Sequence, residues 1–103
     1  MSLAELADVL GSTGLPLAYR AWDVPPNLPY LVYYATTSAN FGADNAVYAE
    51  QLRCIIELYS EKKNVAAERL VEGALSVNDV FYEKGETWIA DEGLCLITYT
   101  VTI

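Results

Sequence analysis

The chain has 103 residues, 53% of them hydrophobic, and fourteen acidic against six basic side chains give a net charge of −8. Residues 1–103 are expected to form one domain, because two cores would each be too small, and so apolar a composition excludes intrinsic disorder. The charge disfavours a binder of nucleic acid that relies on clustered Lys and Arg, and the lack of histidine excludes His-based triads and His-containing zinc sites within the chain.

Ser2-Leu3-Ala4-Glu5 has the spacing of a capping box, and Leu3, Leu6, Ala7 and Leu10 then recur on one helical face. Gly11, Gly14 and Pro16 end the pattern, so a helix is predicted over residues 3–12. Leu17 to Trp22, between Pro16 and Pro25-Pro26, reads as a short strand. Tyr30-Leu31-Val32-Tyr33-Tyr34-Ala35 is a second strand, rich in aromatic and branched residues. Tyr30, Val32 and Tyr34 share one of its faces; Leu31, Tyr33 and Ala35 share the other.

Thr36 to Ala46 is polar and reads as a loop centred on Phe41-Gly42-Ala43-Asp44-Asn45. From Tyr48 to Tyr59 the alternation is long. Tyr48, Leu52, Cys54, Ile56 and Leu58 take one parity, and Ala49, Gln51, Arg53, Glu57 and Tyr59 the other, with Glu50 and Ile55 as exceptions. That is the pattern of a half-buried strand. Asn64 caps a second predicted helix with an apolar stripe of Ala67, Leu70, Val71, Ala74 and Leu75, and with Glu68, Arg69 and Glu72 on its wet side. Val80-Phe81-Tyr82 is a short strand, Gly85 interrupts it, and Thr87-Trp88-Ile89 resumes. After the turn signal Asp91-Glu92-Gly93, Cys95, Ile97, Tyr99, Val101 and Ile103 alternate with Thr98, Thr100 and Thr102 in a last long strand. The order α-β-β-β-α-β-β predicts an α+β fold, an antiparallel or mixed sheet with two helices packed on one face.

No catalytic, cofactor-binding or metal-ligating residues are predicted. The loop acids Asp44, Asp79, Asp91 and Glu92 sit in turns, where carboxylates ordinarily cap or meet solvent. Phe41 to Asn45 lacks the register of a calcium loop, and no P-loop, dinucleotide fingerprint or nucleophile elbow occurs. Cys54 and Cys95 match no metal spacing and read as buried free thiols. The N-terminus lacks the positive region of a signal peptide and no apolar run reaches the ~20 residues of a membrane span, so cytosolic synthesis and no membrane partner are expected.

The 30–35 strand is apolar on both faces. Two helices cover one face, so the other is expected to meet a second subunit, the alternative being a folded-over loop of the same chain. The net charge fits a solvated exterior, a wall past which DNA slides without sticking, or a DNA-mimicking inhibitor of a DNA-binding enzyme. A small enzyme subunit is a further reading.

Gly14-Leu15-Pro16-Leu17-Ala18-Tyr19 and Pro29-Tyr30-Leu31-Val32-Tyr33-Tyr34 resemble the opening of small tail components from prophages of Gram-positive bacteria. Phe41 to Asn45 with Tyr48, and Ile56-Glu57-Leu58-Tyr59, look like that family's central hairpin, and the likeness continues through Val80-Phe81-Tyr82-Glu83-Lys84. The element order is similar to that of tail-terminator proteins of long-tailed phages. The resemblance implies a non-enzymatic structural protein forming a ring, typically of six copies, at the head–tail junction. It further implies tail-tube and neck proteins as partners, no cofactor, and passage from the host cytoplasm into the virion tail or neck. The subunit interface is expected at Tyr33 and Tyr34 with the loop at Phe41, Asp44 and Asn45.

Overall fold

The structure, a computed structural model, describes residues 1–38, 41–43, 46–49 and 51–103, and for 41–43 and 46–49 it describes the backbone only. Helix α1 spans Leu3–Gly11, α2 spans Val65–Val77, and the strands are β1 Leu17–Tyr19, β2 Tyr30–Ser38, β3 Phe41–Ala43, β4 Ala46–Ala49, β5 Leu52–Ser60, β6 Tyr82–Ile89 and β7 Leu94–Thr102. Five of these strands form one sheet in the order β1-β2-β5-β7-β6, and β3 pairs with β4 in a separate two-stranded sheet. Within the larger sheet the helices and strands follow one another as α-β-β-β-α-β-β. The fold is α+β with a mixed sheet: β1 runs parallel to β2, and all other pairs are antiparallel.

Local chemistry sets the helix ends. Ser2 Oγ accepts from the Glu5 amide at 3.1 Å while the Ser2 amide donates to Glu5 Oε1, so the capping box closes in both directions. Asn64 Oδ1 accepts from the Ala67 amide at 3.0 Å and starts α2. At the other end of α2, the Val80 amide donates to Leu75 O and the Asp79 amide to Ser76 O, the paired bonds of a Schellman motif. The motif needs a left-handed residue after the cap. Asp79 supplies it with φ 57°. A glycine there avoids the contact between Cβ and the backbone, so Asp79→Gly is expected to stabilise the protein by about 0.5–1 kcal/mol in urea unfolding. A lower midpoint would contradict this account of the helix end.

Both helices pack on the same face of the sheet. Leu6, Val9 and Leu10 of α1 and Ala67, Val71 and Leu75 of α2 meet Leu31 from β2, Cys54, Ile56 and Leu58 from β5, and Cys95, Ile97, Tyr99 and Val101 from β7. The two cysteines are free and buried in this core. Helix α1 is too short to persist alone, so its helicity depends on this packing.

Four expectations change. The 36–46 stretch is not all loop, because β2 continues to Ser38 and β3 and β4 form a hairpin. The long 48–59 alternation belongs to two strands with different partners: β4 pairs with β3, whereas β5 pairs with β2 and β7. Alternation reports which face a residue takes, not which strand lies beside it. Gly85 does not interrupt β6; it pairs with Thr98 at an exposed sheet edge, where a missing side chain leaves the backbone ladder intact. On α2, Glu68 is buried and Leu70 is exposed, the reverse of the predicted stripe. The reason is Lys84, which β6 brings against α2 opposite Glu68.

Candidate assembly surface

Cross-strand register divides the sheet into two faces. Away from the helices lie Tyr30, Val32 and Tyr34 of β2, Arg53, Ile55, Glu57 and Tyr59 of β5, and Leu94, Leu96, Thr98 and Thr100 of β7. Among the described residues, no helix covers this outer face. Most of its apolar side chains are half-buried by their neighbours only. The strip along β2 is the exception. The crossover from Arg20 to Pro29 folds back over it, with Trp22 edge-to-face on Tyr30 at 6.2 Å and the Trp22 Nε1–H donating to Leu31 O at 3.3 Å. Val32 is left only 5% exposed. The chain thus covers part of the second face of β2 itself, so at that strip the folded-over loop, and not a second subunit, supplies the cover.

Among the described residues, two further elements have no strand beside them on at least one edge. Strand β6 is an edge of the sheet, and along it only Tyr82 and Ile89 are partly shielded. Phe81, just before it, is 81% exposed beside Arg53, Glu83, Thr100 and Thr102. The hairpin β3–β4 bonds to itself and, among the described residues, to no strand of the main sheet.

The sequence-predicted interface residues do not form one patch. Tyr33 points to the helix side, where its ring meets Tyr19 edge-to-face at 5.1 Å and packs against the core. Tyr34, one residue on, lies on the outer face with the Arg20 guanidinium 5.4 Å from its ring centroid. Burial first, then the charge and hydrogen bond of Glu57, raise the Tyr34 pKa, and Arg20 opposes that rise. Phe41 lies on β3 with its backbone alone described, and Asp44 and Asn45 lie outside the described residues. Adjacent residues in a strand face opposite ways, so Tyr33 and Tyr34 cannot share a flat contact.

The densest charge cluster is on the helix side, between α2 and β6. Glu68, with 4% of its side chain exposed, receives Lys84 Nζ at 2.7 Å and Lys63 Nζ at 3.0 Å on Oε1. Its Oε2 has no hydrogen-bond partner. Lys63 also pairs with Glu86. Glu72 takes Lys84 at 3.0 Å and the Tyr99 hydroxyl at 2.7 Å on Oε2, and the Tyr82 hydroxyl at 3.3 Å on Oε1. Burial alone would push both carboxyl pKa values up. For Glu68 the lysines outweigh it, and for Glu72 the Tyr99 hydroxyl, Lys84 and Tyr82 do so, and both end below the ordinary range. Hydrogen bonds to Glu68 and Glu72 raise the Lys84 pKa, and those to Glu86 and then Glu68 raise that of Lys63. With Glu68 and Glu72 lowered and Lys63 and Lys84 raised, these four groups are charged at neutral pH, and the cluster clamps β6 to α2.

These shifts have signed consequences for stability. A carboxyl group with a lowered folded-state pKa favours the folded state above its unfolded value, about 4.3, and loses that contribution as pH falls through the folded value. Tyr99 is the opposite case. Burial, then the hydrogen bond and charge of Glu72, raise its pKa, so its contribution is complete below about pH 10 and is lost as pH rises further. Denaturant midpoints are therefore expected to be flat from about pH 5 to 9 and to fall on both sides. Tyr99 should ionise only as the protein unfolds, seen as a late step in tyrosinate absorbance. A Tyr99 signal titrating in the folded protein would contradict the buried bond to Glu72.

No protein-family model matches the chain, and a search of curated proteins finds no significant relative. Among the described residues no helix is long and apolar enough to cross a membrane, and no group of three or more His, Cys, Asp or Glu side chains is placed to hold a metal ion.

Proposed function

We propose that this chain is a structural subunit of a phage or prophage tail, a terminator or completion component that assembles as a ring of copies, six in the terminator pattern, at the head–tail junction. The observation that carries the reading is the β3–β4 hairpin, which among the described residues pairs with itself and with no strand of the main sheet. A lone two-stranded ribbon is marginally stable in water. Contact with a neighbouring copy would stabilise such a ribbon, and the outer face and β6 edge, which no helix or further strand covers among the described residues, are where a neighbour would seat. The α-β-β-β-α-β-β order within the main sheet supports the same reading, since it is the order the terminator resemblance implies.

Function in this reading is mechanical. The ring stops tube growth and offers the neck a docking surface, using subunit contacts and no cofactor or catalytic group. With a net charge of −8, a subunit lining the passage repels phosphate and lets DNA move without adsorbing. The protein is made in the bacterial cytoplasm and leaves in the virion, with tail-tube and neck proteins as its partners.

Immunogold labelling of particles released from the source bacterium after prophage induction tests the role. Label at a single site where head meets tail is the expected result. Tailed particles that carry no label would overturn the reading.

A further inference from the structure

On the outer face, where the Arg20–Pro29 crossover leaves the sheet, a cleft of about 260 Å3 opens. Trp22, Tyr30 and Tyr59 line it together with Glu57 and Glu92. Its aromatic walls are fixed in place. Trp22 is tied by its indole N–H to the Leu31 carbonyl, Tyr30 lies edge-to-face with Trp22, and Tyr30 stacks on Tyr59 with ring centroids 5.2 Å apart. Glu57 Oε1 accepts from the Tyr59 hydroxyl at 3.2 Å. Tyr34 hydrogen-bonds the same carboxylate, and with about four lone-pair sites Glu57 keeps capacity for a further donor.

The cleft is electronegative. Burial first, then Glu92 and Glu57, raise the Tyr30 pKa; burial and then Glu57 do the same for Tyr59. Among the described residues that line the cleft, two carboxylates stand against one guanidinium, that of Arg20, a balance of one negative charge. Arg20 also shows what this surface accepts, because its guanidinium lies over the Tyr34 ring beside Glu57.

We propose that the cleft binds one guanidinium, the side chain of an arginine on a partner polypeptide, against the Trp22 and Tyr30 rings and paired with Glu57 and Glu92. A guanidinium suits the site better than an ammonium. It is planar, weakly hydrated, stacks on aromatic rings and donates in pairs to carboxylates. The inference does not depend on the tail reading, since it rests on the cleft alone.

The probe is N-acetyl-L-arginine amide, with the neutral isostere N-acetyl-L-citrulline amide as its control at constant ionic strength. In a Trp88→Phe background Trp22 is the sole indole, so its emission reports occupancy. A saturable change with the arginine amide is expected, with the citrulline amide at least about tenfold weaker. Glu57→Gln, which keeps the Tyr59 bond, should weaken arginine binding roughly five- to tenfold. No saturable change, or equal affinity for the two probes, would overturn the proposal. So would unchanged binding in a folded Glu57→Gln, Glu92→Gln double variant. If that variant does not fold, the comparison of charged and neutral probes decides alone.

Discussion

Ile56→Ala is expected to lower the unfolding free energy by about 3–4 kcal/mol, while Ile55→Ala, its neighbour in β5, lowers it by about 1 kcal/mol. Ile56 is fully buried under the helices and opposes Tyr33 and Tyr99 on the flanking strands. Removing three of its carbons leaves a cavity in a close-packed interior, which adds to the lost transfer energy. Ile55 opposes Tyr34 and Thr100 on the outer face and is only half-buried. For a domain of this size the Ile56 variant should melt roughly 15–25 °C lower. Equal costs at the two positions would mean that β5 is out of register, because a one-residue slip exchanges the faces.

Lys84→Met should destabilise the protein by about 2–3 kcal/mol, and the double variant Lys84→Met, Glu68→Met should recover most of that loss. Lys84 is the closer of the two cations on Glu68, and it also holds Glu72. Without it, a carboxylate with 4% of its side chain exposed keeps Lys63 as its only cation, while its Oε2 stays unpaired. The expected cost lies at the lower end for a broken buried pair. Lys84 keeps 35% of its own side chain in water, where its charge is screened. Replacing both partners by apolar groups of similar length removes the desolvation cost along with the attraction. A Lys84→Met cost below about 0.5 kcal/mol would show that the cluster contributes no net stability.

Much of the fold was legible because short-range chemistry decides it. The Ser2–Glu5 capping box, the Asn64 cap and the strict alternation of Cys95 to Val101 each act over a few residues. The structure places all three where that chemistry puts them. What was not legible depends on contacts between distant segments. Glu68 reads as solvated in a helix stripe, and only the arrival of Lys84 on β6 makes its burial tolerable. In the β3–β4 hairpin Gly42, Ala43 and Ala46 are small, so Phe41-Gly42-Ala43 and Ala46 carry weak strand signals and pass for loop.

The interface residues divide along the same line. That Tyr33 and Tyr34 face opposite ways follows from strand parity, so their joint role in one contact was already in conflict with the sequence. The aromatic cleft was hidden in a different way. Tyr59 lies far beyond Tyr30 in the chain and meets it only through the β2–β5 pairing. Trp22 joins them because β1 runs parallel to β2, which sends the crossover over the outer face. The signal for it was the surplus of aromatic residues, eight tyrosines and two tryptophans, beyond what the helix-side core uses.

Sedimentation velocity of the purified protein across a concentration series tests self-assembly most directly. A companion variant carries a short Gly-Ser linker in place of residues 41–49. The intact chain is expected to form one closed species of fixed copy number, and the linker variant to stay monomeric with the same core helicity. An intact chain that is monomeric at every concentration, or a linker variant that assembles equally well, would contradict it.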